Sequence, residues 1–306
     1  MKLHLLAIGE VMAEIRQEPA GGFRVGFAGD TFNTAVYCAR EFGPSARVGY
    51  CTRVGRDPLS RAFLDAAKDE GIDVSQVDMD GERNIGIYAV STDKAGERSF
   101  HYWRGDSAAR RLFASGETLA SLPAASVVYL SGITLAVLHP SARRRLIAHL
   151  RGLRGRGACH VAFDSNYRPQ LWEDAATARR SIGEMWQVAD IALPSLDDEI
   201  ALFGDADEEA AIARFAAVDW RACAIKRGAL GPVSPLLARD AHPEFAPAPD
   251  VVDTTAAGDS FNGGYLAALL RGEDESRCLL AGHDVASRVV GAAGALIARN
   301  IENDGR

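Results

Sequence analysis

The chain has 306 residues, 47% of them apolar and 25% charged, an ordinary globular composition long enough for one large α/β domain or two smaller ones. Its net charge of −7 argues against a general nucleic-acid or anionic-membrane surface, since both need a basic footprint; an anionic substrate would need a local cluster of cations. Five cysteines, at 38, 51, 159, 223 and 278, form no CxxC pair, which argues against a disulfide framework or zinc site and for a reduced, cytoplasmic setting.

In chain order, Leu3–Ile8 reads as a buried strand with no signal-peptide pattern before it. Residues 11–27 read as an antiparallel strand pair. Thr31–Phe42 reads as a helix, with Asp30 as its N-cap and Gly43 as its stop. A second body strand follows at Ala46–Thr52, and Asp57 with Pro58 opens a helix that ends near Gly71. A second antiparallel pair covers 85–104, turning through 92–97. Val127–Ser131, His160–Asp164, Ile191–Pro194 and Ala222–Lys226 read as further core strands with helices between them. The apolar run 127–138 is too short to span a membrane. Residues 239–250, rich in Pro and Ala, read as a loop or an edge, and two helices close the chain near 259–271 and 275–299. The alternation predicts parallel βαβ units. The two hairpins predict one small sheet, which cannot bury both faces alone and so covers a ligand, a partner subunit or both.

Six clusters carry candidate chemistry. In 253–264, Asp-Thr-Thr-Ala-Ala-Gly-Asp-Ser-Phe-Asn-Gly-Gly, small residues precede Asp259 at a helix start. The free backbone N–H groups of Ala256, Ala257 and Gly258 could cradle an anion beside that carboxylate, which suits phosphoryl transfer to a hydroxyl; an ordinary first-turn acid reads the same way. Gly29, Asp30 and Asn33 could meet ligand hydroxyls or merely cap a helix. Lys226-Arg227-Gly228-Ala229-Leu230-Gly231 is a phosphate-binding turn or a plain hairpin, and is neither a Walker loop nor a Rossmann fingerprint. Asn166 and Arg168 follow a core strand, where open α/β sheets bind ligands; Arg168 could fork onto an anion or pair with a nearby acid. Tyr102 and Arg104 alternate onto one face of their strand and could point at a ligand together, with Trp103 opposite as a sheet or subunit contact. Ser195, Asp197, Asp198 and Glu199 start a helix whose acids could hold Mg2+ through water or simply favour its first turn.

Together these residues resemble the ribokinase-like (PfkB-type) carbohydrate kinases over essentially the whole chain. The likeness rests on 253–261 and on Ala28-Gly29-Asp30-Thr31-Phe32-Asn33. Within the family it is nearest to the kinases of 2-keto-3-deoxygluconate (KDG), on Tyr102-Trp103-Arg104, Asn166-Tyr167-Arg168-Pro169 and Leu196-Asp197-Asp198-Glu199. The resemblance implies one kinase domain over 1–306: a three-layer α/β/α body with a mostly parallel sheet, and a small β-sheet lid at about 11–28 and 84–105. It also implies ATP and Mg2+ as partners of a small sugar acid. Asp259 would be the base, 256–258 the anion hole, and Gly29, Asp30, Asn33, Tyr88, Tyr102, Arg104 and Arg168 the substrate wall. Asn166, Arg168, Ser195, Lys226, Gly228, Gly231, Ala257 and Gly258 would line the ATP site, with 282–295 flanking the adenine. Asp253 and Thr255 match positions that hold a monovalent cation in some relatives, and the lid could pair two subunits. Two departures stand out. The family's Gly-Gly is Ala28-Gly29 here, and its Asn-x-x-Glu metal motif is Ser195-Leu196-Asp197-Asp198, so that Asp198 or Glu199 would serve. From the residues themselves, Asp259 is expected to be ionised at neutral pH, because a helix N-terminus favours an anion.

Overall fold

The computed structural model describes residues 2–18, 21–92, 98–115 and 117–299. Among the described residues there are twelve strands, the body strands separated mostly by helices: β1 Leu3–Ile8, β2 Met12–Gln17, β3 Phe23–Ala28, β4 Val48–Val54, β5 Ile72–Asp73, β6 Val77–Met79, β7 Gly86–Thr92, β8 Arg98–Trp103, β9 Ala125–Ser131, β10 His160–Asp164, β11 Ile191–Ala192 and β12 Ala222–Cys223. The body sheet has the order β12-β11-β10-β9-β1-β4-β5, with β6 also on β4. Every pairing in it is parallel.

Parallel strands need crossover helices on both faces, so both faces are buried and the strands read as apolar runs. The side chains of β1 divide accordingly. Leu6 and Ile8 join one apolar core, with residues of helices Pro140–Gly155 and Ala175–Trp186. Leu5 and Ala7 join the other, with residues of helices Asp30–Phe42, Ala257–Leu270 and Glu275–Val290. The three-layer arrangement follows from this alternation.

The two hairpins merge into one four-stranded sheet, β3-β2-β7-β8. Within each hairpin the pairing is antiparallel, and the hairpins join by a parallel pairing of β2 with β7. Most of the turn expected at 92–97 lies outside the described residues.

Several boundaries differ from the sequence reading. Gly29, not Asp30, occupies the cap position of helix Asp30–Phe42; a Cβ on Gly29 would overlap the carbonyl oxygen of Glu10, so the chain must be bare there, and Asp30 becomes the first helical residue. The last helix stops at Val290 rather than 299, because the chain turns at Gly294, φ 105°, where the amide donates to Asp253 Oδ2 at 2.6 Å. The ladders of β11 and β12 are two residues each. Pro194 has no N–H to extend the pairing, although Lys226 N still donates to Pro194 O at 2.9 Å.

Candidate active site

The candidate residues gather at the carboxyl ends of the parallel strands, where an open α/β sheet leaves backbone groups and side chains converging on a crevice. Asp164 ends β10, Asn166 lies two residues on, Lys226 follows β12, and the helix beginning at Ala257 aims its N-terminus at them.

That helix starts without a side-chain cap. Ala256 occupies the cap position in the left-handed region, φ 61°, a conformation that costs a non-glycine residue about 1 kcal/mol or more. Asn166, φ 28°, is a second such residue here. Strain of this kind persists only where the surroundings over-determine it. Of the expected cradle, Ala257 N donates to Thr254 O at 3.2 Å. The helical first-turn amides left without a backbone acceptor are therefore those of Gly258 and Asp259.

Asp259 is partly accessible. Its Oδ2 accepts from Asn33 Nδ2 at 2.8 Å, and its carbonyl accepts from Thr34 Oγ1 at 3.0 Å, so two residues of the first helix lock it in place. Its pKa is raised to about 7: burial is the main cause, followed by the charge of Asp30, while Asn33 and Lys226 act in the opposite sense. This corrects the expectation of a fully ionised acid. The helix N-terminus contributes only tenths to about 1 kcal/mol, less than the cost of desolvating a carboxylate between Asp30 and Asp164.

Lys226 is the cation set against these acids. Its Nζ donates to Asp164 Oδ2 at 2.6 Å and to Asn262 Oδ1 at 3.1 Å. Its side chain lies just under 4 Å from where a Cβ of Gly258 would be, so the ammonium flanks the cradle. Asn262 Nδ2 in turn donates to Asp164 Oδ2 at 2.7 Å and to Tyr129 OH at 3.0 Å. Asp164 and Asn262 were not among the expected site residues. Both were within reach of the sequence: Asp164 sits at a strand's carboxyl end, and Asn262 is three residues beyond Asp259 on the same helix. Lys226 leads into a 3-10 turn, Gly228–Leu230, with Gly228 and Gly231 both at positive φ.

The remaining expected residues divide. Asp30 accepts from Asn166 Nδ2 at 3.1 Å, and its carboxyl is pushed upward by burial. Tyr88 is buried, donates to Glu14 Oε1 at 2.9 Å and stacks on Tyr102 with ring centres 5.7 Å apart. Tyr102 is 52% exposed, with the Arg104 guanidinium 6.0 Å from its ring centre. Neither arginine stands free. Arg104 pairs with the buried Glu10, which the sequence reading did not single out. Arg168 pairs with Asp198, Nη1 to Oδ1 at 3.2 Å. Ser195 caps helix Leu196–Phe203 through its carbonyl, which accepts from Glu199 N at 3.1 Å, and not through its side chain. Asp198 also accepts from Tyr167 N at 3.1 Å, and burial raises its pKa.

Glu199 is not brought to the site. It is fully buried and held by Arg214 Nη1 at 3.0 Å and Trp186 Nε1 at 3.2 Å. Asp253 accepts from the amides of Thr255, 2.9 Å, and Gly294. Among the described residues no three His, Cys, Asp or Glu side chains converge as a metal cage. The donor set fits Mg2+ in the way that ion is usually held, with one or two carboxylates such as Asp198 and Asp164 and the rest from water and phosphate oxygens. Ala28 ends β3 without positive φ, so the methyl that departs from Gly-Gly needs no special backbone.

The sequence model of the pfkB family carbohydrate kinases matches residues 2–301. The chain belongs to the pfkB family. It is 39% identical over 306 residues to the 2-dehydro-3-deoxygluconokinase of Escherichia coli K12, covering 98% of each chain. It is 38% identical to that of Dickeya dadantii, covering 96% of each. Among solved structures it is similar to the aminoimidazole riboside kinase of Salmonella enterica, complexed with its riboside and an ATP analogue. There the identity is 25% and the TM-score 0.78, and the likeness covers 95% of this chain and 94% of that one. The pfkB assignment makes the chain a carbohydrate kinase, and the layered body with its appended small sheet is the family's ribokinase-like fold. No helix among the described residues is long and apolar enough to cross a membrane.

Proposed function

We propose that the chain transfers the γ-phosphoryl group of ATP to the terminal O6 of 2-dehydro-3-deoxy-D-gluconate, giving 2-dehydro-3-deoxy-6-phosphogluconate and ADP. The observation that carries the reaction is Asp259: a carboxylate fixed by Asn33 at an uncapped helix N-terminus. The near-full-length likeness to two proteins named for this sugar acid supports the substrate.

Asp259 accepts the O6 proton as O6 forms its bond to phosphorus, and the bond to the ADP oxygen breaks with its electron pair. An acid whose pKa lies near the working pH suits this role, since it is available as a base yet basic enough to take the proton. The amides of Gly258 and Asp259, with Lys226 beside them, stabilise the charge on the transferring group; in such transfers positioning and charge stabilisation supply most of the effect. Gly228, Gly231, Asn166 and Ser195 line the nucleotide side. Mg2+, when bound, supplies charge neutralisation of the triphosphate, with Asp198 as its protein carboxylate. A monovalent cation near Asp253 and Thr255 belongs to the same reading. The small sheet closes the sugar side through Tyr88, Tyr102 and Arg104, and Arg168 faces the sugar acid from the body.

One observation keeps a second reading open. Arg104 and Arg168 each already have a protein carboxylate, so neither requires a substrate carboxylate for charge balance, and a neutral ketose or ribose would be accepted without stranding a cation. A non-catalytic sugar-acid sensor needs neither Asp259 nor the cradle. An ADP-release assay across KDG, its C4 epimer, fructose and ribose separates them all. The expected result is turnover on KDG with kcat/KM at least about tenfold above each neutral sugar, a preference of about 1.4 kcal/mol. Faster turnover of fructose or ribose overturns the sugar-acid assignment, and no turnover of any sugar favours the sensor.

A further inference from the structure

Glu10 lies in the three-residue connection from β1 to β2, and Arg104 is the first residue after β8. One carboxylate therefore joins the point where the chain enters the small sheet to the point where it leaves. Glu10 Oε2 accepts from Arg104 Nη2, and Oε1 accepts from Ser107 Oγ. Ser107 is brought round by a turn in which its amide donates to Arg104 O at 3.2 Å. Glu10 is 2% exposed. A buried charge of this kind persists only when it is paired and its remaining lone pairs are satisfied, and here both oxygens are used.

The backbone around the pair is cleared for it. A Cβ on Gly86 would lie 3.0 Å from Glu10 Oε1 and 3.4 Å from Arg104 Cβ, and a Cβ on Gly29 would overlap Glu10 O. Gly29 belongs to the turn read as meeting the sugar hydroxyls. Two residues of the expected substrate wall lie around the guanidinium: the ring of Tyr102, its centre 6.0 Å away, and Asp30, whose carboxyl the Arg104 charge acts to lower.

We propose that Glu10 is the positioning residue for Arg104, fixing the guanidinium so that its remaining N–H groups are presented to the carboxylate of the sugar acid. This rests on the reading of Arg104 as a substrate-binding residue. An arginine has five donors in a rigid fork. Anchoring one edge on a buried acid settles where the others point and removes rotamer freedom before the ligand arrives.

The test measures KM for KDG and for ATP in Glu10→Gln, Glu10→Asp, Arg104→Ala and the Glu10→Gln/Arg104→Ala double variant. Glu10→Gln puts an amide N–H₂ or a lone neutral oxygen where Arg104 needs an acceptor. Glu10→Asp keeps the charge that compensates Arg104, and so keeps the fold, but withdraws it by one methylene. Both single Glu10 variants are expected to raise KM for KDG about tenfold, a coupling of about 1.4 kcal/mol, with KM for ATP within about twofold. In the Arg104→Ala background Glu10→Gln should add nothing. The positioning role is overturned if Arg104→Ala raises KM for KDG while Glu10→Asp leaves it unchanged. It is overturned equally if the Glu10 variants raise both KM values alike, or if the two effects simply add. If Arg104→Ala itself leaves KM for KDG unchanged, the substrate role of Arg104 fails, and this proposal with it.

Discussion

Asp259 has its pKa raised to about 7, first by burial and then because Asp30 and Asp164 crowd the same site, with the Lys226 ammonium set against them. The charge balance follows from who pairs with whom: Lys226 is bonded to Asp164 and not to Asp259, so it offsets its neighbour first. The pH dependence has a definite sign. A base must be deprotonated to act, so kcat/KM for the sugar, which reports the free enzyme, should be flat above pH 7 and fall about tenfold per unit below it. A profile flat down to pH 5 would remove Asp259 from that role. Asp259→Asn should retain sugar binding, since the amide can still meet Asn33, and lose kcat by about two to four powers of ten, the usual span for a general base. Near-normal kcat in that variant would be decisive against the assignment. Glu199 shows the opposite case. It is an acid in an equally suggestive motif, but Arg214 and Trp186 hold it in the core, where it serves packing.

Among the elements, helix Ala257–Leu270 does most to place the chemistry. Its middle, Ser260–Ala268, is wholly buried, packed between helices Asp30–Phe42 and Glu275–Val290 and wedged against both. At Gly263 an added Cβ would meet Thr34 O at 2.9 Å and Cys38 N at 3.0 Å, both backbone atoms. The same contact keeps Asn33 and Thr34 within reach of Asp259, one turn earlier. Gly263→Ala is therefore expected to cost about 1–3 kcal/mol, the range for overpacking, read as a lowered urea midpoint at unchanged m. It should also lower kcat by displacing the first helix. A midpoint equal to the parent's would show that the two helices have slack that these distances deny. The order and type of these elements were legible in the sequence, because strand periodicity, the Asp57-Pro58 helix start and the Gly43 stop are local signals. Their ends were less so. The cap at Gly29 and the stop at Val290 depend on Glu10 and Asp253, which approach only in the fold.

Across the whole molecule, the small sheet has two unlike faces. The registers of β2, β3, β7 and β8 put Tyr88 and Tyr102 together on one side. There Tyr88 joins Met12, Ala28 and Ala256 in a small apolar cluster. The other side carries Phe23, Val25 and Trp103, which are 70%, 48% and 62% exposed. Phe23 and Val25 stand on one edge strand of that face and Trp103 on the other, and exposed apolar side chains on one face of a sheet are candidates for an interaction surface. The dimer expected through the lid predicts a concentration-dependent two-subunit species in sedimentation, converted to monomer by Trp103→Glu. An unchanged sedimentation coefficient in the variant would place any interface elsewhere.

By itself the sequence determined the layered body and, through its family resemblance, the class of chemistry. Both are written in contiguous stretches: apolar runs that must be covered on two faces, and a small-residue helix start with an acid three residues inside it. The tertiary structure decided the charge state and the commitments of the site. Arg104 is paired with Glu10 94 positions away, Arg168 with Asp198 30 away, and Asp259 with Asn33 226 away. Ion pairing and desolvation depend on distances of a few ångströms, which spacing along the chain does not fix.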